Sequence, residues 1–199
     1  MKRARTFRAR FAPRTGRGQF ALGVIAAGLI VLVVVLATSV DFGGGKKPPP
    51  PAKLPALTKR FADKSVGASG FLPADWTGIG GPGFVRLANR GGTAVVAIVS
   101  QQGAVGSTQS QVNTALSSLR HTYHSLTVQQ GPGTSLGGLP ATSRVVFATN
   151  KKHVPIRILV AAAQGKHHSY VLEAFTPTKA PLNDLVETQQ VVLVLRLAS

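Results

Sequence analysis

Cysteine is absent from the 199 residues, and acidic side chains are scarce: six Asp and Glu stand against 23 Lys and Arg. Without Cys there is no disulfide framework, no thiolate metal site, no thiol nucleophile and no lipidated Cys anchor. An oxidising compartment stays open, because a domain of this size does not need covalent staples. The shortage of carboxylates leaves Asp63, Asp75, Glu173, Asp184 and Glu187 as the only acids of the globular region. Any paired-carboxylate chemistry would have to be drawn from those five.

What is abundant is positive charge and one long apolar run. Lys2, Arg3, Arg5, Arg8, Arg10, Arg14 and Arg17 crowd residues 1–19 with no acid among them. Residues 20–40 then read FALGVIAAGLIVLVVVLATSV, 21 positions without a charge. At about 1.5 Å per residue a helix of that length spans roughly 30 Å, the hydrocarbon thickness of a bilayer. Only a helix satisfies the backbone of a single segment in lipid. The expectation is a basic cytoplasmic tail (1–19), one transmembrane helix (20–40) and an extracytoplasmic remainder, since the basic flank stays inside. Ala37-Thr38-Ser39 has the small-x-small pattern of a signal cleavage site, but the run is longer than the 7–15 residues or so of a signal core. A retained signal-anchor in the plasma membrane is the reading. Gly23 and Ala27 form one small-xxx-small pair, a spacing that lets a partner helix approach closely.

The basic tail also invites a nucleic-acid reading. Positive-inside topology already accounts for its charge, and apart from Phe7 and Phe11 it has no interleaved aromatics on which bases would stack. No nucleic-acid partner is expected. Beyond the run, residues 41–199 still carry sixteen basic residues against six acidic ones. That field attracts anionic surfaces such as headgroups or acidic envelope polymers.

Residues 41–57 contain GGGKKPPPPAKLP, a Gly-rich stretch passing into polyproline, which reads as an extended spacer. Residues 58–199 form one globular domain. A short helix is expected over Thr58–Val66, followed by a turn-rich stretch, Gly67–Gly83, that contains Trp76. Gly83–Ala88 and Thr93–Gln101 read as two strands joined at Asn89-Arg90-Gly91-Gly92. In Thr108–Tyr123 the period changes to helical. Val112, Ala115, Leu116, Leu119 and Tyr123 make one stripe, behind a capping box that starts at Thr108.

Strands are then expected at His124–Gln130, Ala141–Thr149, Val154–Ala163 and Ser169–Phe175, the last three linked by short polar turns that imply antiparallel pairing. Pro181 opens a last helix whose stripe is Leu182, Leu185, Val186, Val192, Leu193 and Leu197. The fold class is α+β: an antiparallel sheet flanked by helices.

The order of these parts resembles a known family. Leu72-Pro73-Ala74-Asp75-Trp76 precedes the first hairpin and a capped helix. Gly137-Gly138-Leu139-Pro140-Ala141 feeds Arg144-Val145-Val146-Phe147, and the chain finishes on Val194-Leu195-Arg196-Leu197. Over about residues 66–199 this resembles the PsbP-like domain of LpqN-type actinobacterial envelope lipoproteins. The resemblance implies an antiparallel sheet sandwiched by helices and used for binding or as an adaptor, not for catalysis. It departs from the family in its anchor, a transmembrane helix in place of a lipidated Cys.

Several motifs match catalytic or ligand-binding patterns in part. Gly133-Thr134-Ser135-Leu136-Gly137 matches G-x-S-x-G, yet a nucleophile elbow needs a strand-to-helix turn, and Gly138-Leu139-Pro140 follows. Gly78-Ile79-Gly80-Gly81-Pro82-Gly83 matches G-x-G-x-x-G but opens a strand where a dinucleotide loop opens a helix. His121 and His124 stand at a helix end and His167-His168 in a turn, without a third ligand at zinc spacing. Asp184 and Glu187 suit the start of a helix, and Glu173 reads as a solvent-facing strand residue. Trp76 reads as a core residue, with a ligand groove beside Phe84 as the alternative.

No catalytic, metal-binding or cofactor-binding residue is therefore assigned. The function expected is a membrane-anchored extracytoplasmic binding or adaptor domain, non-catalytic, meeting an envelope protein or an anionic polymer. Arg86, Arg90, Lys151, Lys152 and Lys166 are the basic residues that would share such a surface. The alternative is an envelope-acting hydrolase using Ser135 or a histidine, which requires the histidines to converge with an acid in one pocket.

Overall fold

The computed structural model describes residues 55–133 and 135–199. The basic tail, the 20–40 run and nearly all of the 41–57 linker lie outside the described residues. Among the described residues no helix is long and apolar enough to cross a membrane.

Eleven strands and two helices make up the described chain: β1 (Leu57–Asp63), β2 (Ala68–Pro73), β3 (Thr77–Gly81), β4 (Phe84–Ala88), β5 (Val95–Gln102), α1 (Thr108–Thr122), β6 (His124–Gln130), β7 (Ser135–Leu136), β8 (Leu139–Thr149), β9 (Pro155–Gln164), β10 (His168–Pro177), α2 (Leu182–Val194) and β11 (Arg196–Leu197). The main sheet runs β3-β4-β5-β10-β9-β8-β6, with short β7 added beside β8, and a second sheet runs β1-β2-β11. Every pairing is antiparallel. The α+β class and the antiparallel sheet flanked by helices are as the sequence implied.

Two buried clusters occupy the two faces of the main sheet. On one face Val112, Ala115, Leu116 and Leu119 of α1 meet Val146, Ile158, Val160, Ala162, Val171 and Phe175. On the other, Val191 of α2 and Leu195 just beyond it join Val66, Leu72 and Leu197 of the small-sheet layer against Leu87, Val96, Ile98, Tyr170 and Leu172. Alternation along the central strands feeds both: Val95 and Ala97 point to the α1 face, Val96 and Ile98 to the α2 face.

Helix α1 has the stripe expected of it, with Val112, Ala115, Leu116, Leu119 and Tyr123 all buried. Its cap lies one residue before the box read from the sequence. Ser107 Oγ accepts the Ser110 N–H at 3.1 Å, and Gln111 donates to the Val105 carbonyl at 2.9 Å. The Thr108 hydroxyl instead pairs with that of Thr142 on β8, at 2.7 Å.

Three expectations are corrected. The helix expected over Thr58–Val66 is strand β1 and a turn. Asp63 Oδ1 accepts from the Ser65 N–H, the Ser65 hydroxyl and the Val66 N–H, which reverses the chain so that β1 lies against β2. A side chain bonding its own backbone competes with helix propagation, and cross-strand pairing completes the choice. The turn-rich Gly67–Gly83 contains two strands, β2 and β3. The last helix stops at Val194, and Arg196-Leu197 becomes β11, paired with Ser69 and Ala68. Its buried line consequently differs: Thr188 and Val191 face inward, while Leu182 and Leu193 are 41% and 71% exposed.

Candidate functional site

The sheet has two ends, and the turns sort the polar residues between them. Leu57 pairs with Pro73, and Lys59 Nζ donates to the Trp76 carbonyl at 3.0 Å, so the described chain enters beside the start of β3. The same end carries the turns 89–94, 150–154 and 178–181 and the C-terminus of α1, and it is termed proximal. At the distal end lie the turns 103–107 and 165–167 and the chain end, where the Ala198 N–H donates to the Gly67 carbonyl at 2.8 Å. The ten residues of β10 separate the two ends by roughly 30 Å.

Arg90, Lys151 and Lys152 thereby come to the proximal end, and Lys166 goes to the distal one. Arg86 sits within β4, opposite Ala97 of β5. The five basic residues do not form one surface: Arg86 and Arg90 share a cleft, Lys151 and Lys152 share a turn, and Lys166 stands apart. That cleft, about 570 Å³, is lined by Asp75, Thr77, Arg86, Ala88, Asn89, Arg90, Gly91 and Gly92.

Local chemistry fixes its wall. Asn89 Oδ1 accepts the N–H groups of Thr93 and Ala94 at 2.9 and 3.1 Å, and Asn89 Nδ2 donates to the Thr93 hydroxyl. The Thr93 hydroxyl in turn donates to Asp184 on α2. Beside it, the Trp76 indole N–H donates to Glu187 at 2.9 Å. Asp184 and Glu187 thus fasten α2 to the cleft wall, a tertiary role beyond completing a helix start. Burial raises the Glu187 carboxyl above its ordinary range; the Trp76 bond opposes this, and the charges of Asp75 and Asp184 add to it.

On the α1 side of the sheet, the part over β3, β4 and β5 carries exposed apolar groups. Ile79 is 61% and Phe84 36% exposed, and both share that face with Arg86. The guanidinium of Arg86 is half-buried, its Nε has no hydrogen-bond partner, and burial lowers its proton affinity.

Two strands along the same row lies Glu173. Arg86 pairs with Ala97, and Ala97 pairs with Glu173, so the two charged residues flank one small side chain at a Cα separation of about 10 Å. Glu173 corrects the sequence reading of a solvent-facing acid. It is 1% exposed, neither carboxylate oxygen has a hydrogen-bond partner, and burial pushes its pKa up to about 8. The cause is the position of β10 at the centre of the sheet, between β5 and β9. Alternation there puts Glu173 in phase with the buried Val171 and Phe175. The Tyr123 phenol, under α1, is raised by burial first and by Glu173 second.

The structure also places the remaining motifs. Trp76 is a core residue, fully buried. Gly78–Gly83 forms β3 and its turn into β4, so the G-x-G-x-x-G match opens no helix. Ser135 lies in β7, paired with Pro140, and the Gly-rich loop around it serves closure: the Leu197 N–H donates to the Gly137 carbonyl at 3.1 Å. His121, His124 and His153 belong to the proximal end, His167 and His168 to the distal end, where the Ser100 hydroxyl meets His168 Nδ1 at 3.2 Å. Among the described residues no three His, Asp or Glu side chains gather as metal ligands. The convergence of histidines with an acid that the hydrolase alternative requires is not what the topology brings about.

No protein-family model matches the sequence, and no curated protein does. Among solved structures, the chain is similar to cyanobacterial PsbP (CyanoP) from Synechocystis sp. PCC 6803 at 10% identity, covering 79% of this chain and 98% of that one with a TM-score of 0.50. LpqN of Mycobacterium tuberculosis, described as involved in cell envelope biogenesis, aligns at 10% identity over 66% of this chain and 83% of that one, with a TM-score of 0.39. A protein from Bacteroides thetaiotaomicron VPI-5482 aligns at 14% identity over 72% of this chain with a TM-score of 0.48, and the chain spans 50% of that protein. The fold is PsbP-like, as the resemblance implied, and the assignment rests on the CyanoP superposition.

Proposed function

We propose that this chain is a membrane-anchored binding module, held outside the cytoplasm by residues 20–40, which takes an anionic group of an envelope protein or polymer in the Arg86–Arg90 cleft without catalysing a reaction. The observation that carries the reading is Arg86. A half-buried guanidinium lining an open cleft beside a second Arg favours a carboxylate or phosphate over water, through the N–H groups that Arg86 and Arg90 turn to it. Asp75 also lines the cleft, and exposed Ile79 and Phe84, on the same face as Arg86, offer apolar contact to the group that carries the charge. The apolar run and its basic flank support the anchor and its orientation.

A defined anionic polymer, poly-glutamate, tests the cleft. With the full chain in detergent, the Arg86→Gln/Arg90→Gln variant binds it at least about tenfold more weakly than the parent, the loss of two charge-assisted contacts. The distal Lys166→Gln variant binds as the parent does. Equal weakening by both variants would mean a diffuse charge effect and no cleft site.

A further inference from the structure

The proximal end holds a second cationic feature, away from the cleft. His124 of β6 pairs with Thr149 of β8, which places the C-terminal turn of α1 next to the turn 150–154. That pairing unites Arg120, His121 and His124 with Lys151, Lys152 and His153 at one corner of the sheet. Arg120, His121, His124, Lys151, Lys152 and His153 are all exposed. The carboxylates of the proximal end, Asp75, Asp184 and Glu187, belong instead to the cleft wall and α2, where Asp184 and Glu187 are engaged by Thr93 and Trp76. Among the described residues, the corner therefore carries three fixed cations and three imidazoles with no acid of its own. The turn is rigid, because Asn150 Oδ1 accepts the Lys152 and Val154 N–H groups, both at 2.9 Å, and so fixes where the two lysines stand.

The chain enters at this same end, and the opposite end holds Ser199. From Asp41 to Leu54 the connection is 14 residues, at most about 50 Å fully extended, so the proximal end stays within reach of whatever holds residues 20–40. We infer that the Arg120–Lys151–Lys152 corner rests on the anionic headgroups of the bilayer, which turns the domain proximal end down and leaves the Ile79–Phe84–Arg86 face open sideways. This rests on the anchored reading above for its geometry, while the corner itself is defined by described residues alone. Clustered lysines and arginines beside a span attract anionic lipid within a screening length of the surface.

The lack of Cys supplies the test. The full chain is prepared with a single fluorescent label at His153→Cys, proximal, or at His167→Cys, distal. Each is added to vesicles of phosphatidylcholine, with or without phosphatidylglycerol, that carry a headgroup-borne quencher. With phosphatidylglycerol the proximal label is quenched several-fold more than the distal one. The difference disappears in about 1 M salt, where screening shortens to about 3 Å, and in the Arg120→Gln/Lys151→Gln/Lys152→Gln variant.

Vesicle flotation separates this inference from the anchor. A chain that floats with both vesicle types, its two labels equally quenched, keeps the anchor and overturns the corner. Flotation only with phosphatidylglycerol, with the proximal label quenched, keeps the corner and overturns the anchor. A chain that floats with neither overturns both, and the corner would then face an acidic protein or polymer.

Discussion

Glu173 is the residue whose environment departs furthest from what its chemistry prefers. An unpaired buried carboxylate is tolerable only when protonated, because the charged form loses its hydration without a compensating partner. Its pKa rises from 4.5 to about 8, so between those values the folded chain holds a proton that the unfolded chain has released. Stability from this group is complete below the unfolded value and is lost as pH rises through the folded one. Thermal unfolding of the full chain in detergent is expected to show stability falling from pH 5 to pH 8. Glu187, raised in the same direction, adds to the slope. Glu173→Gln keeps the shape, removes the titration and is expected to be more stable than the parent at pH 8, by up to about 4 kcal/mol. At pH 4 the two should melt alike, and a parent with no such slope would mean that Glu173 is paired or hydrated in solution.

At the scale of elements, the two helices show how far periodicity reaches. The stripe of α1 is regular enough that all five apolar positions read from spacing are buried, with the polar Gln111, Ser118 and Thr122 buried beside them. Helix α2 carries apolar residues on more than one side, and spacing alone admits several stripes. Its inward line is settled by the Thr93–Asp184 and Trp76–Glu187 bonds, which fix its rotation, and by β11, which ends it before Leu195. The expected consequences are opposite for neighbours of the same type. Leu195→Ala removes a side chain only 1% exposed and costs about 3 kcal/mol, while Leu193→Gln, at a position 71% exposed, changes stability by no more than about 0.5 kcal/mol. Chemical denaturation of the two variants distinguishes this rotation from the stripe read off the sequence.

Across the whole molecule, distant stretches close on one another. Gly137 has φ +61°, and a Cβ there would come within 2.5 Å of Leu197 Cγ and 2.8 Å of its backbone nitrogen. The Gly-rich loop is therefore the seat of the chain's last strand. Gly137→Ala is expected to cost roughly 2 kcal/mol or more, from left-handed backbone strain together with a contact that rigid backbone cannot relieve. Amide exchange should quicken at Leu197 and Ala198 in that variant while α1 keeps its protection. Exchange that quickens equally everywhere would mean that the β7–β11 closure is no separate unit. The same global arrangement sends the chain's entry and the Arg120–Lys151–Lys152 corner to one end and Ser199 to the other.

The sequence by itself determined whatever depends on neighbours along the chain. The apolar length of 20–40 and the sign of its flank, the α1 stripe, the Asn-Arg-Gly-Gly turn and the antiparallel order of β8, β9 and β10 all follow from local period and turn chemistry. The α+β class and its PsbP-like likeness follow from their order. Only the tertiary structure decided what depends on partners far away. Residues 57–63 became a strand because β2 was available to pair with, and residues 196–197 became one because Ala68 and Ser69 offered an edge. Glu173 became buried because β5, β9 and α1 enclose β10, although its local alternation fits either face. Arg86 and Arg90 met in one cleft while Lys166 was carried to the opposite end, since a strand's direction in the sheet, unlike its period, is fixed by non-local pairing.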